Sequence, residues 1–158
     1  MKMNSKRRLF NVLSLAALTS LALVIAAQAS PNKGTTIKVN ARLSSKQETP
    51  MPKVDVRSAA GGFQATLLQT KKGYTMSWHI AFGKLSGKAT SAYIHSGGRG
   101  KYGPALFRLC GPCSSGAHGS AYASPSEVQM MLAGKTYVNV RTSKNPTGEI
   151  RGQLAKSS

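Results

Sequence analysis

The sequence is poor in acidic residues, in aromatic residues and in cysteine. Its 158 residues include 4 Asp or Glu against 22 Lys or Arg, together with 1 Trp and 2 Cys. So few carboxylates argue against the paired acids that glycoside hydrolysis requires. The serines lie in no Gly-x-Ser-x-Gly motif, and the glycine-rich segment 97–100 opens no helical pattern, so neither a nucleophile elbow nor a phosphate-binding loop is indicated. These absences favour a protein that is not an enzyme.

Residues 1–29 have the pattern of a secretory signal peptide. A cationic start precedes the apolar run 9–27, and Ala27-Gln28-Ala29 fits the small-x-small rule for cleavage. We therefore expect a periplasmic or extracellular protein that begins with a short flexible leader, residues 30–35. The apolar run is also near the shortest length that spans a bilayer, so an uncleaved membrane anchor is the alternative.

Positive charge dominates the rest of the chain. The formal net charge is +18, and removing the four cations of the predicted signal peptide leaves +14. Such a surface attracts polyanions over a distance. The cations are dispersed, and no aromatic residues interleave with a basic stripe as they do in binders of single-stranded nucleic acid. For an exported chain the sequence predicts an anionic envelope polymer or an extracellular protein as partner and no specific nucleic acid, with a merely basic, soluble surface as the alternative.

Alternation of apolar and polar residues predicts an all-β fold. Seven segments alternate with period two and are separated by Gly- and Pro-containing turns, which is typical of half-buried antiparallel strands. These segments are residues 36–43, 62–69, 74–82, 90–95, 105–109, 136–142 and 148–154. One short helix is predicted near 125–133, where Ser124-Pro125-Ser126-Glu127 forms a capping box. The pattern favours a Greek-key β-sandwich, either immunoglobulin-like or a flattened barrel.

The closing hairpin resembles the signature of the chordin-type (CHRD) domain family. Residues 137–142 read Tyr-Val-Asn-Val-Arg-Thr, and residues 148–152 read Gly-Glu-Ile-Arg-Gly. The opening motif around 43–50, the element 85–95 and the Leu-Cys-Gly-Pro-Cys loop at 109–113 are similar to other elements of that family, especially in its bacterial members. The resemblance implies an immunoglobulin-like β-domain over residues 36–155 and no general catalytic activity.

The two cysteines, Cys110 and Cys113, leave three interpretations open. In an exported chain, two cysteines this close predict a local disulfide that pins a loop. Two thiolates with His118 and His95 would instead suit a Zn or Cu ion. The tetrapeptide Cys-Gly-Pro-Cys is also that of thioredoxin, but a thiol-disulfide oxidoreductase needs the first Cys at a helix N-terminus, and no helical pattern follows. The predicted protein otherwise needs no cofactor.

Five polar side chains are expected to gather on the strands of the family signature. They are Tyr93, His95, Asn139, Arg141 and Glu149. Family members usually carry His at the first and fourth of these positions, so a family metal site of imidazoles would be reduced here to His95. Arg cannot bind a cation, so the five side chains are expected to form a structural polar cluster rather than a metal site, and within it Arg141 can pair with Glu149 across the hairpin. Taken together, the sequence predicts an exported, non-enzymatic binding or structural domain.

Overall fold

Nine β-strands and one short helix make up the part of the chain that the computed structural model describes, residues 34–52 and 56–157. The predicted signal peptide lies outside these residues, as does most of the leader. The strands are β1 (Thr36–Ser44), β2 (Ala60–Gln69), β3 (Tyr74–Gly83), β4 (Ala89–Ser96), β5 (Ala105–Cys110), β6 (His118–Ala123), β7 (Thr136–Thr142), β8 (Ile150–Gln153) and β9 (Ala155–Lys156). The helix is α1 (Pro125–Leu132), and a single 3₁₀ turn covers Ser45–Gln47.

The strands form one antiparallel sheet that is nearly closed into a barrel. Their order is β5-β4-β7-β8-β1-β2-β3-β6, and β9 pairs with β1. All seven predicted strands are present, which confirms the all-β prediction of a flattened barrel or sandwich. Two strands were not predicted. They are β6, which lies outside the seven alternating segments, and β9 near the C-terminus.

The connection from β5 to β6 bridges the gap between β4 and β3. The Cys113 amide donates to the Ala89 carbonyl oxygen at the start of β4, with N and O 3.2 Å apart. Three residues later, the Gly116 amide donates to the Ile80 carbonyl oxygen of β3 at 2.9 Å. The sheet order ends at β5 and β6, so this segment links the strands next to those ends, β4 and β3, across the gap in the barrel wall.

Inward-facing residues of nearly every strand form one core. Phe63, Leu67 and Ile80 are buried there, and Trp78 and Val140 belong to the same apolar cluster, as the alternation predicts. Strand β7 departs from simple alternation, because its outward-facing Tyr137 and Asn139 are buried as well. Other segments of the chain must therefore cover the outer face of β7, and they form part of the candidate site described below.

Helix α1 begins with the predicted capping box. The Ser124 hydroxyl accepts from the Glu127 amide, and the Glu127 carboxylate accepts from the Ser124 amide. The helix ends where Gly134 adopts φ = +65°, a left-handed conformation that glycine accepts without strain. Among the described residues, no helix combines the length and the apolar character needed to cross a membrane.

Candidate functional site

The outward faces of β4, β7 and β8 carry a cluster of buried and half-buried polar and aromatic side chains, called here the polar face. Two cross-strand rows form it: His95, Tyr137 and Gln153 in one, and Tyr93, Asn139 and Arg151 in the other. The loop 97–103 and the segment that follows β1 cover the rows. These covering segments explain why outward-facing residues of β7 are shielded from solvent.

His95 is buried against two tyrosines. Its ring stacks on Tyr137, with centroids 5.1 Å apart, and meets Tyr93 edge-on at 5.8 Å. Its Nδ1 lies 2.9 Å from the Gly103 carbonyl oxygen, which can only accept, so Nδ1 carries the proton. Burial lowers the pKa of His95, although the bond to Gly103 opposes this effect, and the nearby Arg141 lowers it further. The Arg141 Nη2, 3.4 Å from Nε2, can only donate, so Nε2 accepts and the hydrogen-bond pattern is that of a neutral ring.

Arg141 joins three members of the predicted cluster. Its Nε donates to Asn139 Oδ1 at 3.2 Å, and its guanidinium carbon lies 4.9 Å from the Tyr93 ring centroid. Together with the contact to His95, these distances place the guanidinium beside Nε2, the imidazole nitrogen that remains free to bind a metal ion. Tyr93, His95, Asn139 and Arg141 are thus brought together as predicted.

Glu149 is not part of this cluster, so the predicted pair of Arg141 with Glu149 is wrong. The Glu149 carboxylate accepts hydrogen bonds from Ser86, Thr142 and Asn145, at the turn that precedes β8. The regular pairing of β7 with β8 stops at Ile150, so strand alternation does not extend to Glu149. Burial would raise the pKa of Glu149, but these hydrogen bonds outweigh it and hold the pKa below its usual value.

Glu48 lies beside Asn139, although the sequence pattern did not predict it there. It is 5 % exposed, and its Oε1 accepts from Asn139 Nδ2 at 2.7 Å. Burial raises the pKa of Glu48 to about 8, against the opposing effects of Arg151 and of the Asn139 hydrogen bond. The carboxyl group therefore titrates near neutral pH.

Cys110 and Cys113 form the predicted disulfide. The predicted metal ligands, in contrast, are not assembled, because His95 lies on β4 whereas His118 is exposed on β6, opposite His79. Within the described ranges, no cluster of three or more His, Cys, Asp or Glu could hold a metal ion. A loop and then β6 follow Cys113, so the described chain offers no helix N-terminus there to acidify a thiol.

The comparison with protein families matches the CHRD domain over residues 39–154. The chain belongs to the CHRD domain family. Comparisons with curated proteins and with solved structures find no significant match. The match lies within the predicted domain, residues 36–155, and includes every residue of the polar face.

The structure gives physical roles to the signature residues of this CHRD domain. Glu149 anchors the turn of the closing hairpin, and Arg151 anchors the covering loop through bonds of 2.8 and 2.9 Å from its Nη2 to the carbonyl oxygens of Gly98 and Lys101. Two signals could have found the residues that were missed. Glu48 is one of only four acids and lies in the opening family motif, and Arg151 alternates onto the same sheet face as Asn139.

Proposed function

We propose that this CHRD domain is an exported, non-enzymatic binding domain whose partner is an anionic polymer or surface of the cell envelope or the extracellular space. Membership of the family supports a binding role rather than a catalytic one. The pattern of residues 1–29 supports export, and the positive charge supports an anionic partner.

The burial of the acidic residues carries this proposal. The described chain has three acids, Glu48, Glu127 and Glu149. Glu48 and Glu149 are buried, and Glu127 is engaged in the helix cap. Among the described Lys and Arg residues, in contrast, Arg151 alone is buried. The surface is therefore more uniformly cationic than the composition indicates.

Dispersed surface cations favour recognition by charge density rather than by a fixed sequence of contacts. Each exposed cation contributes little alone, because solvent and salt screen it. A polyanion that touches many of them releases counterions, which makes the affinity steeply dependent on salt. The proposed partner is thus a long or extended anion.

The test is retention of the exported protein on an immobilised sulfated polysaccharide such as heparin, with an uncharged dextran matrix as the control. We expect retention at low ionic strength, elution at moderate salt and no retention on dextran. Retention that persists at high salt, or passage through the heparin matrix at low salt, would contradict the proposal.

A further inference from the structure

A small cavity lies at the edge of the polar face, where the 3₁₀ turn after β1 approaches the covering loop. It has a volume of about 180 Å³. Its wall consists of Lys46, Gln47, Thr49, Arg99, Gly100, Arg151 and Gln153. Pockets for drug-sized ligands begin at roughly 300 Å³, so this cavity suits a single head group rather than a whole polymer unit.

Three of the lining residues are cationic and none is acidic. Lys46 and Arg99 are exposed at the rim, whereas Arg151 is 1 % exposed at the base. The nearest acid in sequence, Glu48, accepts its hydrogen bond from Asn139 and does not line the cavity. The three cations come from separate chain segments, which suits an oxyanion with several oxygens.

The guanidinium of Arg151 is fixed before any ligand arrives. Its carbon lies 3.4 Å from the Tyr137 ring centroid, and its Nη2 donates to two carbonyl oxygens of the covering loop. Its Nη1 is buried and has no hydrogen-bond partner within the described chain. A buried charged donor without an acceptor is costly, so an anionic oxygen in contact with Nη1 would be stabilising. Nη1 is closed to water in this structure, so that contact requires the cavity to open towards it.

Gln153 places a second requirement on the chemistry of the ligand. Its Nε2 carries two hydrogens and lies within 2.9 Å of the carbonyl oxygens of Gly97, Gly134 and Thr136, so the orientation of the amide is determined. Its Oε1 is buried and has no partner among the described residues. Like Arg151 Nη1, it is closed to water in this structure. With the cavity opened to both atoms, a group that offers an anionic oxygen and a hydroxyl would satisfy them together, as a hydrogen phosphate or phosphomonoester group does.

We infer that the cavity formed by Lys46, Arg99, Arg151 and Gln153 is a binding site for a phosphate group. The inference deepens the proposed function, on which it rests, by giving the anionic partner a specific point of attachment. Arg151 binds at the base, and Lys46 and Arg99 close over the ligand at the rim.

The test is calorimetric titration of the exported protein with inorganic phosphate at constant ionic strength. The variant Lys46→Gln/Arg99→Gln changes exposed side chains only, and Lys71→Gln/Lys72→Gln removes the same charge away from the cavity. We expect one saturable site, weakened about tenfold or more in the first variant and less than about twofold in the second. Equal losses in both variants, or no saturation in the wild type, would overturn the inference.

Two further measurements distinguish a polymer-borne phosphate group from free phosphate, and a failure of the cavity inference from a failure of the proposed function. If short-chain polyphosphate binds more than about tenfold tighter than inorganic phosphate, with the same selective loss in Lys46→Gln/Arg99→Gln, the ligand is a phosphate group carried on a polymer. If the two bind with similar affinity and show that loss, the ligand is free phosphate. If heparin retention survives while phosphate does not bind, the cavity inference alone fails. If the wild type does not bind heparin even at low salt, the proposed function fails.

Discussion

Asn139 on β7 donates a hydrogen bond of 2.7 Å to Glu48, a residue 91 positions earlier in the chain. The bond attaches the segment after β1 to the outer face of β7. Because Asn139 also accepts from Arg141, its amide connects a buried carboxyl group to a guanidinium. Disturbing this connection should alter both the stability of the domain and its dependence on pH.

The first prediction concerns the charge of Glu48. Its pKa is about 8 in the folded chain and 4.5 ordinarily, so between these values the folded state holds a proton that the unfolded state has lost. Stability must therefore fall as the pH rises. Below pH 6.5 the lowered pKa of His95 opposes this trend, because there the unfolded chain gains a proton that the folded chain does not.

The clear window for this effect is pH 6.5 to 8. We expect the free energy of unfolding to fall across it by up to about 2 kcal/mol, and Glu48→Gln to remove the dependence. Urea denaturation at several pH values measures the slope. Glu127→Gln, which changes the helix cap instead, should keep the wild-type slope, and a slope retained in Glu48→Gln would contradict the assignment.

The second prediction concerns the close approach of Gly148 to the polar face. A methyl group at this position would collide with the Asn139 amide and the Glu48 carboxylate. We expect Gly148→Ala to destabilise the domain by about 1–3 kcal/mol, the usual cost of overpacking. Thermal denaturation provides the measurement. Gly62→Ala is the matched control, because a methyl group there meets no atom within 4 Å, and an equal loss in the two variants would show that packing at Gly148 is not the cause.

The third prediction concerns the disulfide. A disulfide that closes so short a loop lowers the conformational entropy of the unfolded chain, which stabilises the folded state by about 2 kcal/mol. Cys110→Ser/Cys113→Ser should therefore lower the free energy of unfolding by roughly that amount. Equilibrium denaturation checks the value, with the reduced wild type as a second test.

In the same preparations, we expect no turnover of a dithiol substrate by the wild type. Turnover lost in Cys110→Ser would instead support the oxidoreductase hypothesis.

The fourth prediction concerns the imidazoles that this CHRD domain lacks. The Arg141 guanidinium lies 3.4 Å from His95 Nε2 and excludes a cation from that position. We expect Tyr93→His/Arg141→His to gain one Zn²⁺ or Cu²⁺ per chain, measured by titration, because three neighbouring imidazoles supply a sufficient ligand set. Arg141→Gln removes the positive charge without adding a ligand and should gain none. Equal binding by both variants would contradict the prediction.

Sequence alternation predicts the strands well where one face packs on the core, as in β1 and β3. It fails for β6, because His118–Ala123 consists mainly of small residues whose extended form depends on pairing with β3. It also fails for Glu149, because the turn before β8 breaks the register. The polar face is predicted only in part. Its cover comes from distant segments, so the burial of Glu48 and Arg151 depends on tertiary structure that local patterns do not encode.

The inward placement of Glu48 and Glu149 has a consequence for how copies of this domain behave together. A molecule whose exterior carries mostly one sign of charge repels its neighbours, so at low ionic strength the copies should stay apart in solution. On an anionic surface the same repulsion would space them out until their charge balances that of the support. Coverage would then be limited by electroneutrality rather than by molecular size.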